Sequence, residues 1–209
     1  MSHSQKKPYF ITGIGTGIGK TLVSAIVVEK LHADYWKPVQ SGDLDTADTL
    51  TVQSLVSNQT SIFHPETYRL TQPFSPHKSA EIDGVTIELN KFKLPQTSNQ
   101  LIIEGAGGLM VPLNDKDLIV DLIQKLGAEV ILVSKNYLGS INHTLLSIEL
   151  LKSRLIPIKG IVFNGETNAN SEEYILNYSK LNCLGRIPEI SDISKETISA
   201  LGNLINLTA

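Results

Sequence analysis

The ten residues Thr12–Thr21, TGIGTGIGKT, stand between a short apolar run, Tyr9–Thr12, and a stretch whose apolar residues recur at three- and four-residue spacing. Glycines at 13, 15, 17 and 19 let successive backbone N–H groups turn toward one point with no side chain in the way, and Lys20-Thr21 opens the helix that follows. A strand, a glycine-rich turn and a helix beginning Gly-Lys-Thr form the context of a phosphate-binding loop. The helix N-terminus adds its positive end, the lysine reaches the β- and γ-phosphates, and the threonine offers a hydroxyl to Mg²⁺. The strict spacing G-x-x-x-x-G-K-[ST] is not met, because Ile14 rather than glycine stands five residues before Gly19, so the loop is one residue longer. A glycine-rich turn often does no more than allow close packing, but such turns rarely end in Gly-Lys-Thr. Gly17, Ile18, Gly19, Lys20, Thr21 and Leu22 are therefore assigned to a nucleotide, with Thr16 placed to donate a hydroxyl near the phosphates and Mg²⁺ as the expected cation.

The rest of the chain continues that strand–helix beginning. Tyr9–Thr12, Tyr35–Val39, Leu101–Glu104, Val130–Ser134, Lys159–Asn164 and Leu184–Ile187 read as strands. Helical spacing covers Thr21–His32, Ala47–Ser57, Leu118–Leu126, Ile141–Leu151, Ser171–Leu181 and Lys195–Ile205. The strand cores LII, VILV and GIVF are nearly unbroken apolar runs, as parallel strands covered on both faces require. The alternation predicts an α/β fold of the P-loop NTPase type, a doubly wound, mostly parallel sheet with helices on both faces, as one domain over residues 1–209. Asn58–Asn99 is less regular, with four prolines (Pro65, Pro73, Pro76 and Pro95), and is expected to hold loops and one helix near Ile87–Phe92.

Several classes are disfavoured. Net charge is −3 and Lys6-Lys7 is the only adjacent basic pair, so no footprint for nucleic acid is seen. No apolar run approaches the roughly 18 residues that cross a bilayer, and the start Met1–Pro8 is polar, which speaks against export or a membrane partner. A lone cysteine, Cys183, is read as a packing residue just before a strand in a cytoplasmic protein. The only Asn-Lys pair, Asn90-Lys91, ends Phe92-Lys93 rather than in the Asp of a guanine-reading Asn-Lys-x-Asp, and partition-type ATPases carry a lysine where this chain has Gly15.

The long loop, followed in order by YWKPVQSG, PFSPH, IIEGAGGLMVPL, LGSINH and GIVFN, resembles the dethiobiotin synthetase family from Thr12 to Ile190. Cobyrinic acid amide synthases share the fold and some blocks, but their glutaminase domain does not fit within 209 residues. The resemblance implies a ligase of biotin biosynthesis, in which 7,8-diaminopelargonate, CO₂ and MgATP give dethiobiotin, ADP and phosphate. One amine captures CO₂ as a carbamate, the γ-phosphate transfers to the carbamate oxygen, and the second amine displaces phosphate to close a cyclic urea.

That chemistry brings an anion onto a more negative phosphate, so cations must offset the charge. Lys37, alone a plausible solvated lysine at a strand end, is assigned by its flanking motif to the carbamate and the transferring phosphoryl group beside Lys20. The family match selects Thr21, Asp48 and Glu104 for Mg²⁺, with Glu104 ending the strand LIIE; Asp43 and Asp45 compete with Asp48 for the second carboxylate. Gly105, Ala106 and Gly107 bring backbone close to the nucleotide, or simply form a tight turn. Ser41, with Gly42, is expected at the diamine or carbamate. Leu138, Gly139, Ser140 and Asn142, at a helix start, are expected to hold the substrate carboxylate from the other subunit of a homodimer. By the resemblance, Asn164, with Gly165, matches the position that reads adenine, and Pro188, Glu189 and Ile190 match a second base-flanking segment, although Asn-Gly is also ordinary turn chemistry. His77 and His143 are read as structural. The loop departs from the family where Gly15 and Gly17 stand in place of the usual acidic residues.

Overall fold

The computed structural model describes residues 6–208; residues 1–5 of the polar start Met1–Pro8 lie outside the described residues, as does Ala209. Along the chain run β1 (Tyr9–Gly13), α1 (Lys20–Leu31), β2 (Asp34–Trp36), β3 (Val39–Ser41), α2 (Asp48–Leu55), β4 (Phe63–His64), β5 (Tyr68–Leu70) and α3 (Pro76–Ile82). They are followed by β6 (Leu101–Gly108), α4 (Ile119–Leu126), β7 (Glu129–Ser134), α5 (Ser140–Ser153), β8 (Ile158–Asn164), α6 (Ala169–Ser179), β9 (Cys183–Ile187) and α7 (Lys195–Leu201). Seven strands form one sheet in the order β4-β2-β6-β1-β7-β8-β9, every pairing parallel. β3 and β5 form a separate parallel pair.

Alternation along the strands divides the core into two layers. Phe10, Leu101, Ile103, Leu132 and Phe163 point to one face, where they meet α4, α5 and α6 through Leu122, Ile148 and Ile175. Ile11, Tyr35, Ile102, Val133 and Val162 point to the other, against Ile26 of α1, Val52 of α2 and Ile198 of α7. Both faces being covered explains the unbroken apolar strands. The same period of two carries Tyr35 and Ile102 to the α1 face, and with them the next residues of that parity, Lys37 and Glu104. The strand after β1 in sequence lies to one side of it and β7 to the other, so the chain reverses direction at β1, where open α/β sheets form their ligand crevice.

Where the structure departs from the sequence reading, local chemistry gives the reason. The single strand expected over Tyr35–Val39 is two, β2 and β3, because Pro38 has no N–H to continue the ladder; its carbonyl instead accepts from Thr67 and Tyr68 N–H at 3.0 and 3.1 Å. The helix expected near Ile87–Phe92 is only a 3₁₀ turn at Leu89–Lys91. The helix of this region is α3, which begins with Pro76 at its first position, a placement that costs no hydrogen bond. Phe63–His64 and Tyr68–Leu70, read as loop, are short strands. The segment Gly105–Gly108 continues β6 rather than forming a turn after it, although Gly107 has φ +65°. Cys183 is the first residue of β9, half-buried against the core.

Candidate active site

The loop after β1 closes on α1 through Gly19, whose φ of +94° only glycine adopts readily and whose hydrogen faces the Asn164 amide; a Cβ there would lie 2.1 Å from Asn164 Nδ2. That amide donates to the Ile18 carbonyl at 2.8 Å, tying the end of β8 to the loop. Gly165 N–H donates to Ile187 O at 2.8 Å, which sets Asn164-Gly165 beside the segment that begins Pro188-Glu189-Ile190. Pro188 and Glu189 are exposed and Ile190 is partly buried against the second core layer. Leu22, in the first turn of α1, packs against that same layer.

Lys20 bends back over the loop, donating from Nζ to Gly15 O at 2.8 Å. Burial lowers its pKa to about 8, with Lys37 adding to the depression and Glu104 and Asp48 opposing it. Thr21 Oγ1 lies 2.9 Å from Asp48 Oδ1 and 2.9 Å from Glu104 Oε1. One hydroxyl has one proton, so it satisfies only one of these carboxylates at a time. Lys37 Nζ is 2.5 Å from Asp48 Oδ2 and 3.3 Å from Glu104 Oε1. Burial alone would push the Lys37 pKa down; the charges of Glu104 and Asp48 and their hydrogen bonds outweigh it and hold the ammonium above its ordinary range. Burial would raise the Asp48 carboxyl, but Lys37, with help from Thr21 and Lys20, holds it below the ordinary carboxylate range.

These groups line a cavity of about 660 Å³ with Thr16, Gly17, Gly19, Ser41, Ala106 and Gly107. Asp48, and not the exposed Asp45, touches Thr21 and Lys37; Asp43 lines the cavity but makes neither contact. Ser41 Oγ is buried without a hydrogen-bond partner. Among the described residues no three His, Cys, Asp or Glu side chains gather as a metal cluster. Two carboxylates and a hydroxyl nevertheless fit Mg²⁺, which binds through one or two carboxylates and keeps several waters. Lys20 and Lys37 offset Asp48 and Glu104 in charge, so a divalent cation would leave the cleft positive toward a polyphosphate.

Three contributors to the site escaped the sequence reading. Tyr35, wholly buried, donates to Glu104 Oε2 at 2.9 Å, and burial followed by the Glu104 and Asp48 charges raises its pKa well above the ordinary value. Its signal was parity, since it stands two residues before Lys37 on the same face. Gln40 accepts from Asp48 N–H at 3.3 Å and donates to Gly42 O at 3.0 Å, fixing the start of α2. Pro73–Pro76, from the block PFSPH, form a wall of the cavity.

Leu138, Gly139, Ser140 and Asn142 are not in this cleft. They border a second cavity of about 770 Å³ together with Glu166, Ser171 and Tyr174. Gly139, with φ +99°, precedes α5, and Leu138 is fully exposed. His143 Nδ1 lies 2.8 Å from Tyr137 Oη, and His77 Nδ1 3.1 Å from Ser75 Oγ.

A strand–loop–helix phosphate cradle at the switch point of a parallel sheet defines a P-loop NTPase-type protein. A family model described as an AAA domain matches residues 7–197. Among solved structures, the chain resembles the Pyrococcus furiosus cell division ATPase MinD, at TM-score 0.60 and 14% identity, covering 97% of this chain and 100% of that one. A putative plasmid partition protein from Borrelia burgdorferi bound to AMPPNP gives TM-score 0.61 and 12% identity, covering 98% of each. At these identities the likeness is one of fold. The ATP-dependent dethiobiotin synthetase of Christiangramia forsetii is 56% identical over 183 residues, 88% of each chain, and that of Cytophaga hutchinsonii 53% over 195 residues, 93% of this chain and 94% of the relative. The chain belongs to the ATP-dependent dethiobiotin synthetase family. No helix among the described residues is long and apolar enough to cross a membrane.

Proposed function

We propose that the protein carboxylates 7,8-diaminopelargonate with CO₂ and closes the ring to dethiobiotin at the expense of ATP. The convergence of Lys20, Thr21, Lys37, Asp48 and Glu104 on one cleft carries this reading, supported by the 56% and 53% identical relatives of that name. Gly17 to Leu22 bind the polyphosphate through backbone N–H groups and Lys20, while Thr16 presents a hydroxyl beside it. Thr21, Asp48 and Glu104 are the residues that would hold Mg²⁺, whose chemistry is to neutralise phosphate charge and favour in-line geometry. Asn164, whose Oδ1 and second amide hydrogen are not used by the bond to Ile18, reads the adenine edge, flanked by Gly165 and Pro188–Ile190. Gly105, Ala106 and Gly107 bring main chain to the nucleotide.

An amine of the substrate adds to CO₂, losing a proton to give the carbamate. A carbamate oxygen then attacks the γ-phosphorus, and the bond to ADP breaks. Lys37 and Lys20 orient the two anions and offset their repulsion. The second amine attacks the carbonyl carbon of the mixed anhydride, phosphate departs, and the urea ring closes. Ser41, with an unpartnered buried hydroxyl at the cleft wall, binds the diamine or carbamate. The start of α5, with Leu138, Gly139, Ser140 and Asn142, serves the substrate carboxylate of a second copy in a homodimer; that these residues border a separate cavity supports the division.

The test is ADP release measured with diamine and bicarbonate together and singly. Release only with both is expected. Release that ignores the diamine and is accelerated by DNA or a protein would point instead to a switch of the partition-ATPase kind.

A further inference from the structure

We propose that Tyr35 is a positioning residue that fixes Glu104 as a one-oxygen ligand and thereby biases the site toward Mg²⁺ over Ca²⁺. The inference rests on the reading of Thr21, Asp48 and Glu104 as the metal-holding set. Glu104 divides its two oxygens between opposite partners: Oε2 accepts the Tyr35 hydroxyl at 2.9 Å, while Oε1 faces Thr21 Oγ1 at 2.9 Å and Lys37 at 3.3 Å. The tyrosine has little room to follow a moving carboxylate. It is wholly buried, its ring lies 6.2 Å from that of Phe63, and its backbone is held in β2 by the parallel register Tyr35↔Ile102. The neighbouring Trp36 is anchored on the opposite face through Nε1 to Pro65 O at 3.1 Å.

A phenol at neutral pH has one proton to donate, and Glu104 Oε2 is the acceptor the structure gives it. A cation at Oε1 leaves that bond intact. A cation chelated by both oxygens would take Oε2 away and strand a hydroxyl inside the core, a costly outcome. Ca²⁺ takes six to eight oxygens and readily accepts a two-oxygen carboxylate; Mg²⁺ demands a tighter octahedron built from single oxygens. Tyr35 therefore acts on the site in two ways: it sets the Glu104 rotamer, as outer groups do for ligands elsewhere, and it penalises the coordination mode that the larger ion favours.

The experiment uses the full chain saturated with ADP. Bound Mn²⁺ is counted from the electron paramagnetic resonance of the free ion, and Mg²⁺ and Ca²⁺ are added as competitors. For Tyr35→Phe, Mn²⁺ affinity is expected to fall by about tenfold or more. Competition should also shift toward Ca²⁺, while ADP affinity without metal stays as in the original chain. An Mn²⁺ affinity within about twofold of the original with an unchanged Ca²⁺ to Mg²⁺ ratio overturns the proposal, as does a parallel loss of metal-free ADP binding, which would mark a packing role. If the original chain itself holds no Mn²⁺ that Mg²⁺ displaces, the metal-site reading fails and this inference fails with it; binding there with an unaffected variant sinks the inference alone. Should Tyr35→Phe not fold, 3-fluorotyrosine at position 35 keeps the ring and makes the hydroxyl a stronger donor. A ratio moved further toward Mg²⁺ then supports the proposal, and an unmoved ratio overturns it.

Discussion

The Lys37 ammonium sits 2.5 Å from Asp48 Oδ2, so the lysine assigned to the reacting anions rests on a carboxylate assigned to the metal. Glu104 Oε1, at 3.3 Å, is shared in the same way. Lysine and divalent cation are thus alternatives for the same negative charge. Engagement of Asp48 and Glu104 by Mg²⁺ would weaken their hold on Lys37 and leave its ammonium free to face a phosphate.

Lys37→Ala follows from this relationship. Removing the cation takes from Glu104, 1% exposed, its ion pair and leaves only the charge of Lys20 to act on it, a loss of about 3 kcal/mol, at the low end for a broken buried pair because Asp48 is a third exposed. Denaturant midpoints in chelator should show that loss, and Mg²⁺ should restore more stability to the variant than it adds to the original chain. Nucleotide should still bind, while turnover falls by on the order of 10³ or more, by analogy with loss of a phosphoryl-stabilising cation. Turnover near the original value would remove Lys37 from the mechanism.

Lys20 gives a pH dependence with a defined sign. Burial lowers its pKa to about 8 in the protein, below the 10.5 of a free lysine. Below about 8 the charged amine is fully disfavoured by folding, and that penalty fades as pH rises toward 10.5, so the stability linked to this group increases with pH in that window. Nucleotide binding runs the other way. Phosphates beside the ammonium raise its pKa, so binding takes up a proton and affinity declines as pH climbs through about 8. Calorimetry in two buffers of different ionisation enthalpy should detect the uptake at and above that pH; no difference between the buffers would contradict the assignment of Lys20 to the phosphates.

The loop glycines are not equivalent. Gly19→Ala places a methyl 2.1 Å from Asn164 Nδ2 at φ +94°, and should cost about 1–3 kcal/mol in urea midpoint along with nucleotide affinity. Gly17, with φ +70° but open space around it, should suffer conformational strain alone, about 1 kcal/mol. Gly15 has no positive φ and a Cβ added there would meet nothing within 4 Å, so Gly15→Ala should stay within about 0.5 kcal/mol of the original chain, and Gly15→Asp should fit as well. Equal losses at the three positions would show that the loop is held by something other than this geometry.

The fold was legible where one residue type imposes one outcome. Apolar runs such as VILV demanded a strand covered on both faces, and Gly-Lys-Thr at a helix start demanded a phosphate cradle. Lys20 and Thr21 could be placed at the start of α1 because they close the glycine loop, and Glu104 in β6 because it ends the apolar run LII. The break at Pro38 could have been foreseen, since its missing N–H forbids a continuous strand through Val39. The contacts of Tyr35 and Gln40 could not, because they depend on which strand lies beside β2 and where α2 begins. Within Asn58–Asn99 no periodicity reaches a full turn of helix, so α3 was betrayed only by Ser75-Pro76, a start signal with too short a run behind it.

The exposed tip at Leu138 gives the test of assembly. Leu138 projects fully into solvent, Tyr137 beside it is 44% exposed, and the α5 start they precede borders a cavity separate from the one holding Lys20 and Lys37. If a second copy receives this segment, a charge at position 138 would be desolvated without a partner. Leu138→Asp should then shift the protein from dimer to monomer in sedimentation. Diamine KM should rise by an order of magnitude or more, the scale of a lost anchoring contact, while nucleotide affinity stays at the original value because the phosphate loop lies within one chain. A variant that stays dimeric with unchanged diamine KM would place the substrate carboxylate elsewhere and return the α5 start to a purely structural role.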